Sequence, residues 1–267
     1  MLMAVSGFLL AAAYFKVMPV TKLIGLVCGM SLVIGSACVF NNYIDRGLDK
    51  KMARTKKRAL VTHKIGGSAA LLYASVLGAA GFAALALFIN SRVVWLNLAA
   101  IFSYVVIYGW AKRHTVHGTL IGTIPGAIPP VAGYAAVAPL DKGALLLFLV
   151  LVFWQMAHFY SIAMYRFADY KAAGLPVMPV RFGMKATRYQ IIIYAVLLAV
   201  ALVALTSFNY DGYIFLASSL ALCGYWLWQG LSNYSLVDDK WGKRMFLNSL
   251  IVLIGLSFLI PLGAVLP

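Results

Sequence analysis

The chain has 267 residues, 63% of them hydrophobic and only 11% charged, with a mean hydropathy of +0.91. Such proportions exclude an ordinary soluble domain and describe a chain whose main solvent is lipid. The formal net charge of +15 would suit nucleic-acid binding, but 18 of the 22 Lys and Arg fall in alternate connections between apolar runs, which marks membrane topology instead.

The first apolar run, 1–15, is short for a hydrocarbon core that needs about 20 helical residues. It has neither the basic leader nor the small-residue cleavage site of a signal peptide, and reads as the second part of a first transmembrane helix in which the chain starts late. The runs at 23–42, 68–89, 93–111, 118–138, 143–165, 189–208, 212–231 and 245–266 are each long enough to span. Backbone groups in lipid must bond internally, and continuous apolar runs without alternation choose helices over a barrel. The expected fold is therefore all-α: a polytopic membrane protein of nine transmembrane helices, forming one domain over 1–267.

The connections after the second, fourth, sixth and eighth helices carry 8, 2, 5 and 3 Lys or Arg, and those after the first, third, fifth and seventh carry 2, 1, 1 and 0. This alternation predicts a cytoplasmic amino terminus, an external carboxyl terminus and residence in the cell inner (plasma) membrane, with anionic headgroups attracting further basic charge. Pro125, Pro129 and Pro130 are expected to kink or break the 118–138 helix, freeing carbonyls that line a cavity. Trp95, Trp110, Trp226 and Trp228, towards helix ends, suit an interfacial belt. Cys28, Cys38 and Cys223 lie inside apolar runs and imply no disulfide framework and no metal site.

Chemistry concentrates in "NNYIDRGLDKKMARTKKR", residues 41–58. Asn41, Asp45 and Asp49 are spaced four apart, so one amide oxygen and two carboxylates share a helix face. Like charges at that spacing disfavour a helix unless neutralised. Mg2+ does so with one or two carboxylates, waters and substrate phosphate oxygens, while Arg54, Lys56, Lys57 and Arg58 are placed for the remaining phosphate charge. Surface ion pairs to Arg46, Lys50 and Arg54 are the alternative. A second acid on the same side, Asp169, lies between Arg166 and Lys171. Asp141 and Asp211 fall on the opposite side, and Asp238 and Asp239 read as solvated charges.

These motifs resemble the UbiA superfamily of intramembrane prenyltransferases. The matching residues are Asn41, Asp45, Asp49, Arg54, Thr55 and Arg58. The segments "CVFNNYIDR", "KRHTVHGTLIGTIPGAIPPVAGY" and "WQMAHFYSIAMYRFADYKAAGLPVMPV" narrow the likeness to the haem-farnesylating subfamily over nearly the whole chain. The resemblance implies nine helices around a central cavity with both Asp motifs at its cytoplasmic mouth. It implies Mg2+ held by Asn41, Asp45, Asp49 and Asp169, with Asp45, Asp49 and Asp169 catalytic. Diphosphate would be held by Arg54, Arg58, Lys112, Arg113, Arg166 and Lys171. The implied substrates are farnesyl diphosphate and haem b, the product haem O, and the later partner a haem A synthase or haem-copper oxidase assembly. The second motif departs from the superfamily's paired aspartates, since Tyr165 and Ala173 stand four residues either side of Asp169. Ala157 also replaces the Pro common before the histidine of that motif.

His158, inside the membrane, and His114, beside Lys112 and Arg113, are candidates to bind haem; His117 shares that basic position. Phe159, Tyr160 and Tyr165 are candidates to line the cavity. The alternatives are prenylation of an aromatic quinone precursor and, from another class, transport of an anion. A transporter would need polar residues across mid-membrane, where positions other than His158 read as nearly all apolar or small.

Overall fold

The computed structural model describes residues 1–266. Its elements are α1 (Leu2–Tyr14), α2 (Val20–Asp49), α3 (Gly67–Phe88), α4 (Ser91–Phe102), a π-helical segment (Ser103–Tyr108), α5 (Gly109–His114), α6 (Gly118–Val137), α7 (Lys142–Tyr165), α8 (Phe167–Ala172), α9 (Met178–Ser207), α10 (Tyr213–Ser232) and α11 (Asp238–Gly263). With Ser91–His114 taken as one span, eight of the described helices are long and apolar enough to cross a membrane, and α1 is a shorter apolar ninth. The chain is thus an all-helical polytopic membrane protein.

α7 lies at the centre. It is apolar around its circumference, as a helix buried on all sides must be, and packs on α6, α9 and α11. α2, α3 and α4 form one flank, α9, α10 and α11 the other, and α1 lies against α6 and α11. Van der Waals packing and close backbone approach must join such helices, because lipid tails are as apolar as the side chains. The α1–α6 contact shows this physics: a Cβ on Gly7 would lie 2.1 Å from the Pro130 carbonyl oxygen, and one on Gly133 would lie 1.9 Å from that of Ala4. Only glycine lets these backbones touch.

Three sequence expectations are revised. α6 runs unbroken through Pro125, Pro129 and Pro130, because its neighbours supply contacts that offset the missing N–H groups; Pro125 and Pro129 still line a cavity. The irregular stretch lies instead in the preceding span, at Ser103–Tyr108. Trp226 is fully buried and donates to the Met245 carbonyl at 3.1 Å, whereas Trp95, Trp110 and Trp228 are exposed as a belt requires. Asp238 is not simply solvated: it pairs at 2.8 Å with Arg188, a buried guanidinium that also donates to the carbonyls of Tyr234 and Leu236.

Candidate active site

α2 has 30 residues, roughly 45 Å at 1.5 Å per residue, against a hydrocarbon core of about 30 Å. Its last turns therefore emerge from the apolar layer still helical, which places Asn41, Asp45 and Asp49 at the boundary. Asp45 and Asp49 are nonetheless buried, so their charges need partners.

The partners come from α5 and from the loop that follows α2. Lys112 of α5 donates to Asp45 and, at 2.9 Å, to the Asn41 amide oxygen. Arg113 reaches Asp45 at 3.2 Å and the Ile44 carbonyl at 2.9 Å. Arg58, from the loop after α2, pairs with Asp49 at 2.9 Å and donates to Asn42 at 2.8 Å. The buried Thr55 hydroxyl donates to the Asp49 carbonyl at 3.1 Å and holds that loop.

Asp169 joins the same assembly from the other half of the bundle. One of its oxygens accepts the Ala53 N–H at 3.1 Å, and Met52, Ala173 and Leu175 form a small apolar cluster beneath the contact. The loop 50–64 is thereby fastened between the two acidic motifs. Arg54, Arg166 and Lys171 form no salt bridge among the described residues; Arg166 lies over the Tyr165 ring and Lys171 over that of Phe167. Burial pushes the Tyr170 phenol up, opposed by the charge of Arg54, so that guanidinium lies near Tyr170. These three cations are free to meet an anion.

Beneath the charges, two cavities join. The upper, about 220 Å³, is lined by Lys112, Thr115, Thr119, Tyr108 and Tyr170. The lower, about 230 Å³, lies among α2, α4, α6 and α7, with Met30, Val33, Ile101 and Pro129 on its walls. Tyr104, Gly122 and Phe159 line both, so the polar mouth opens into an apolar interior. The π-helical segment and the turn after it put Tyr104, Tyr108 and Lys112 on one face, with the two tyrosine rings stacked 5.6 Å apart. A π-helical insertion is commonly found at functional positions, and here it aims the cavity's aromatic wall.

The two candidate histidines lie elsewhere. His158 faces α11: its Nδ1 is 2.7 Å from Ser249 Oγ and its ring stacks on Trp154. His114 stacks on Trp110 and bonds its carbonyl at 2.7 Å. Neither lines the joined cavities, and of the aromatic candidates only Phe159 does. Sequence reading missed Tyr104, Tyr108 and Tyr170, and also Asn97 and Gln155, two buried amides on the lower cavity. Their signal was available, because a polar residue inside an apolar run usually faces a cavity or a neighbouring helix.

Fold and site together define an integral membrane protein that can hold a polyanionic head at one face and an apolar tail within the bundle. The chain belongs to the UbiA prenyltransferase family, whose model matches residues 1–265. It is 43% identical to the protoheme IX farnesyltransferase of Sodalis glossinidius, covering 96% of this chain and 89% of that one. It is also 43% identical to that of Pectobacterium carotovorum, covering 98% and 90%. Among solved structures it resembles a digeranylgeranylglyceryl phosphate synthase (TM-score 0.79, 16% identity, 98% and 93% covered). It also resembles a UbiA homologue from Archaeoglobus fulgidus bound to GPP and Mg2+ (TM-score 0.65, 14% identity, 97% and 95% covered). At those identities the structures speak for the fold.

Proposed function

We propose that this protein transfers the farnesyl group of farnesyl diphosphate to a vinyl group of protohaem IX, with addition of water, giving haem O and diphosphate. The observation that carries this is 43% identity to protoheme IX farnesyltransferases over nearly the full length of both chains. The joined cavities agree with it, being polar and cationic at the mouth and apolar below. An anion transporter is the weaker reading, because the charges gather at one face.

In this reading the diphosphate lies at the mouth, where Arg54, Arg166 and Lys171 are unpaired and Lys112, Arg113 and Arg58 are within reach. These cations stabilise the negative charge that grows on the leaving diphosphate. Asn41, Asp45 and Asp49 present hard oxygen donors in a row, and the Lys112 ammonium already sits between the first two. That arrangement fits a divalent cation, Mg2+ in our proposal, held by Asn41, Asp45, Asp49 and Asp169. When bound, it would neutralise phosphate charge as a Lewis acid. The farnesyl chain occupies the lower cavity, whose walls keep water from the allylic cation until the acceptor has reacted. The faces of Tyr104, Tyr108 and Phe159 at the neck favour positive charge there. We further propose that the mouth and amino terminus face the cytoplasm of the cell inner membrane. A haem A synthase or haem-copper oxidase assembly then consumes the product.

The test is direct. Purified protein incubated with haem b, farnesyl diphosphate and Mg2+ should yield the farnesylated, hydrated haem by mass spectrometry. Absence of that product, together with prenylation of 4-hydroxybenzoate, would assign the chain to aromatic acceptors instead.

A further inference from the structure

Three buried side-chain oxygens have no hydrogen-bond partner among the described residues: Thr206 Oγ1, Asp211 Oδ1 and Asp211 Oδ2. All three belong to one cavity of about 330 Å³, on the membrane face opposite the charged mouth. It is lined by the end of α9, the start of α10 and the end of α11, with Tyr14 of α1 at its edge. Among the described residues every other buried side-chain polar atom has a hydrogen-bond partner, as in native proteins generally. The exceptions are concentrated in one place, and all of them are oxygens.

The surroundings make a bare carboxylate there costly. Asp211 is only 6% exposed, and no Lys, Arg or His lines the cavity. Lys142 lies over the Phe208 ring and Lys16 lines a separate apolar cavity with Leu262 and Val265, while Asp141 is engaged by Tyr134 and the first N–H groups of α7. α9 and α11 both end here, so two helix carboxyl termini bring partial negative charge to the same place. α10 begins at Tyr213, yet none of its N–H groups bonds the carboxylate. Hard oxygens without donors, in a field that favours positive charge, are the chemistry of a cation site.

We propose that this cavity binds a small hard cation, sodium-like or calcium-like, through the Asp211 carboxylate and the Thr206 hydroxyl. Unfilled carbonyl valences at the ends of α9 and α11 and waters would complete the shell. Bound there, the cation ties together the ends of α9 and α11 and the start of α10, joining three helices of one flank at a face where the backbone bond from Gly212 N–H to the Gly263 carbonyl also joins them. The site is separate from farnesyl transfer and stands or falls apart from it. In the absence of a cation, burial pushes the Asp211 carboxyl up to about 8, so a proton is the competitor and binding strengthens as pH rises.

The experiment uses the full chain in nanodiscs at about pH 9, in choline chloride of constant ionic strength, with NaCl or CaCl2 replacing part of it. Wild type should gain a few degrees in Tm, saturating with cation as linkage requires. The salt that saturates at lower concentration identifies the class of cation. Asp211→Asn should lose the saturable shift, Thr206→Val should need about tenfold more cation, and the Asp45→Asn, Asp49→Asn double variant should keep the shift. Equal shifts in wild type and Asp211→Asn would overturn the proposal as a general salt effect. No shift in wild type would reduce the site to a neutral, protonated acid, and overturn it as well.

Discussion

The two faces of the bundle handle buried carboxylates in opposite ways. At the mouth, Asp45 and Asp49 are met by Lys112, Arg113 and Arg58 within 3.2 Å; at the far face, Asp211 is equally buried and met by nothing. The partnered acids sit in a net cationic field, which suits the polyanion and the metal proposed above. The bare acid has no cation within hydrogen-bond reach, which is why we assign it a positive ligand. Identical side chains thus sit in opposite electrostatic settings because of their neighbours.

Removing a carboxylate at the mouth should have the largest effect. Asp45→Asn and Asp49→Asn should each lower kcat/KM for farnesyl transfer by about 10³ or more, the scale on which preorganised charge at a reacting centre acts. Insertion and elution as a folded particle should persist, because Asn still accepts from Lys112 or Arg58. Full turnover in either variant would break the comparison at its stronger side. Lys112→Met tests the other half of the pair. It strands Asp45 on one partner, Arg113, and should cost about 10² in kcat, with Lys112→Arg restoring part of it, measured by product formation at saturating farnesyl diphosphate.

How much of this could be read from the sequence depends on how far each interaction reaches along the chain. Spans follow from run length, which is a local quantity, so all eight long helices and the short α1 were legible. The Asn41, Asp45, Asp49 face follows from the 3.6-residue period. Its pairing with Lys112 crosses 67 residues, and nothing in a window reports that α5 packs beside the end of α2. Trp226 illustrates the same limit: hydropathy places it near a helix end but cannot say that it points at α11 rather than at lipid. Asp211 read as an ordinary loop acid because its burial is created by Gly263 and its neighbours, some fifty residues later in the chain.

Between the two faces lies the lower cavity, where shape replaces charge. A Cβ on Gly126 would stand 2.0 Å from Gln155 Oε1, so Gly126→Leu must displace that amide and fill space that we assign to the prenyl chain. The expected result is a rise in KM for farnesyl diphosphate of about tenfold, worth roughly 1.4 kcal/mol, with the charged mouth intact. Shorter geranyl diphosphate should lose less, which a side-by-side KM measurement would reveal.

The smallest effect concerns stability at the far face and follows from the proton that Asp211 keeps. Its carboxyl titrates near 3.8 in an unfolded chain and at about 8 in the folded one. Between those values the folded protein holds a proton that the unfolded chain has released, so folded stability is fully present at the acid end. It declines as pH rises through the window, and is at its lowest above about 8. In choline chloride, unfolding midpoints of wild type should therefore fall between about pH 5 and pH 8.5, while Asp211→Asn, which has no proton to lose, should show a flatter profile over the same range. A variant profile as steep as that of wild type would mean that Asp211 finds a partner in the membrane, and the contrast between the two faces would then be one of distance to the nearest cation rather than of its presence.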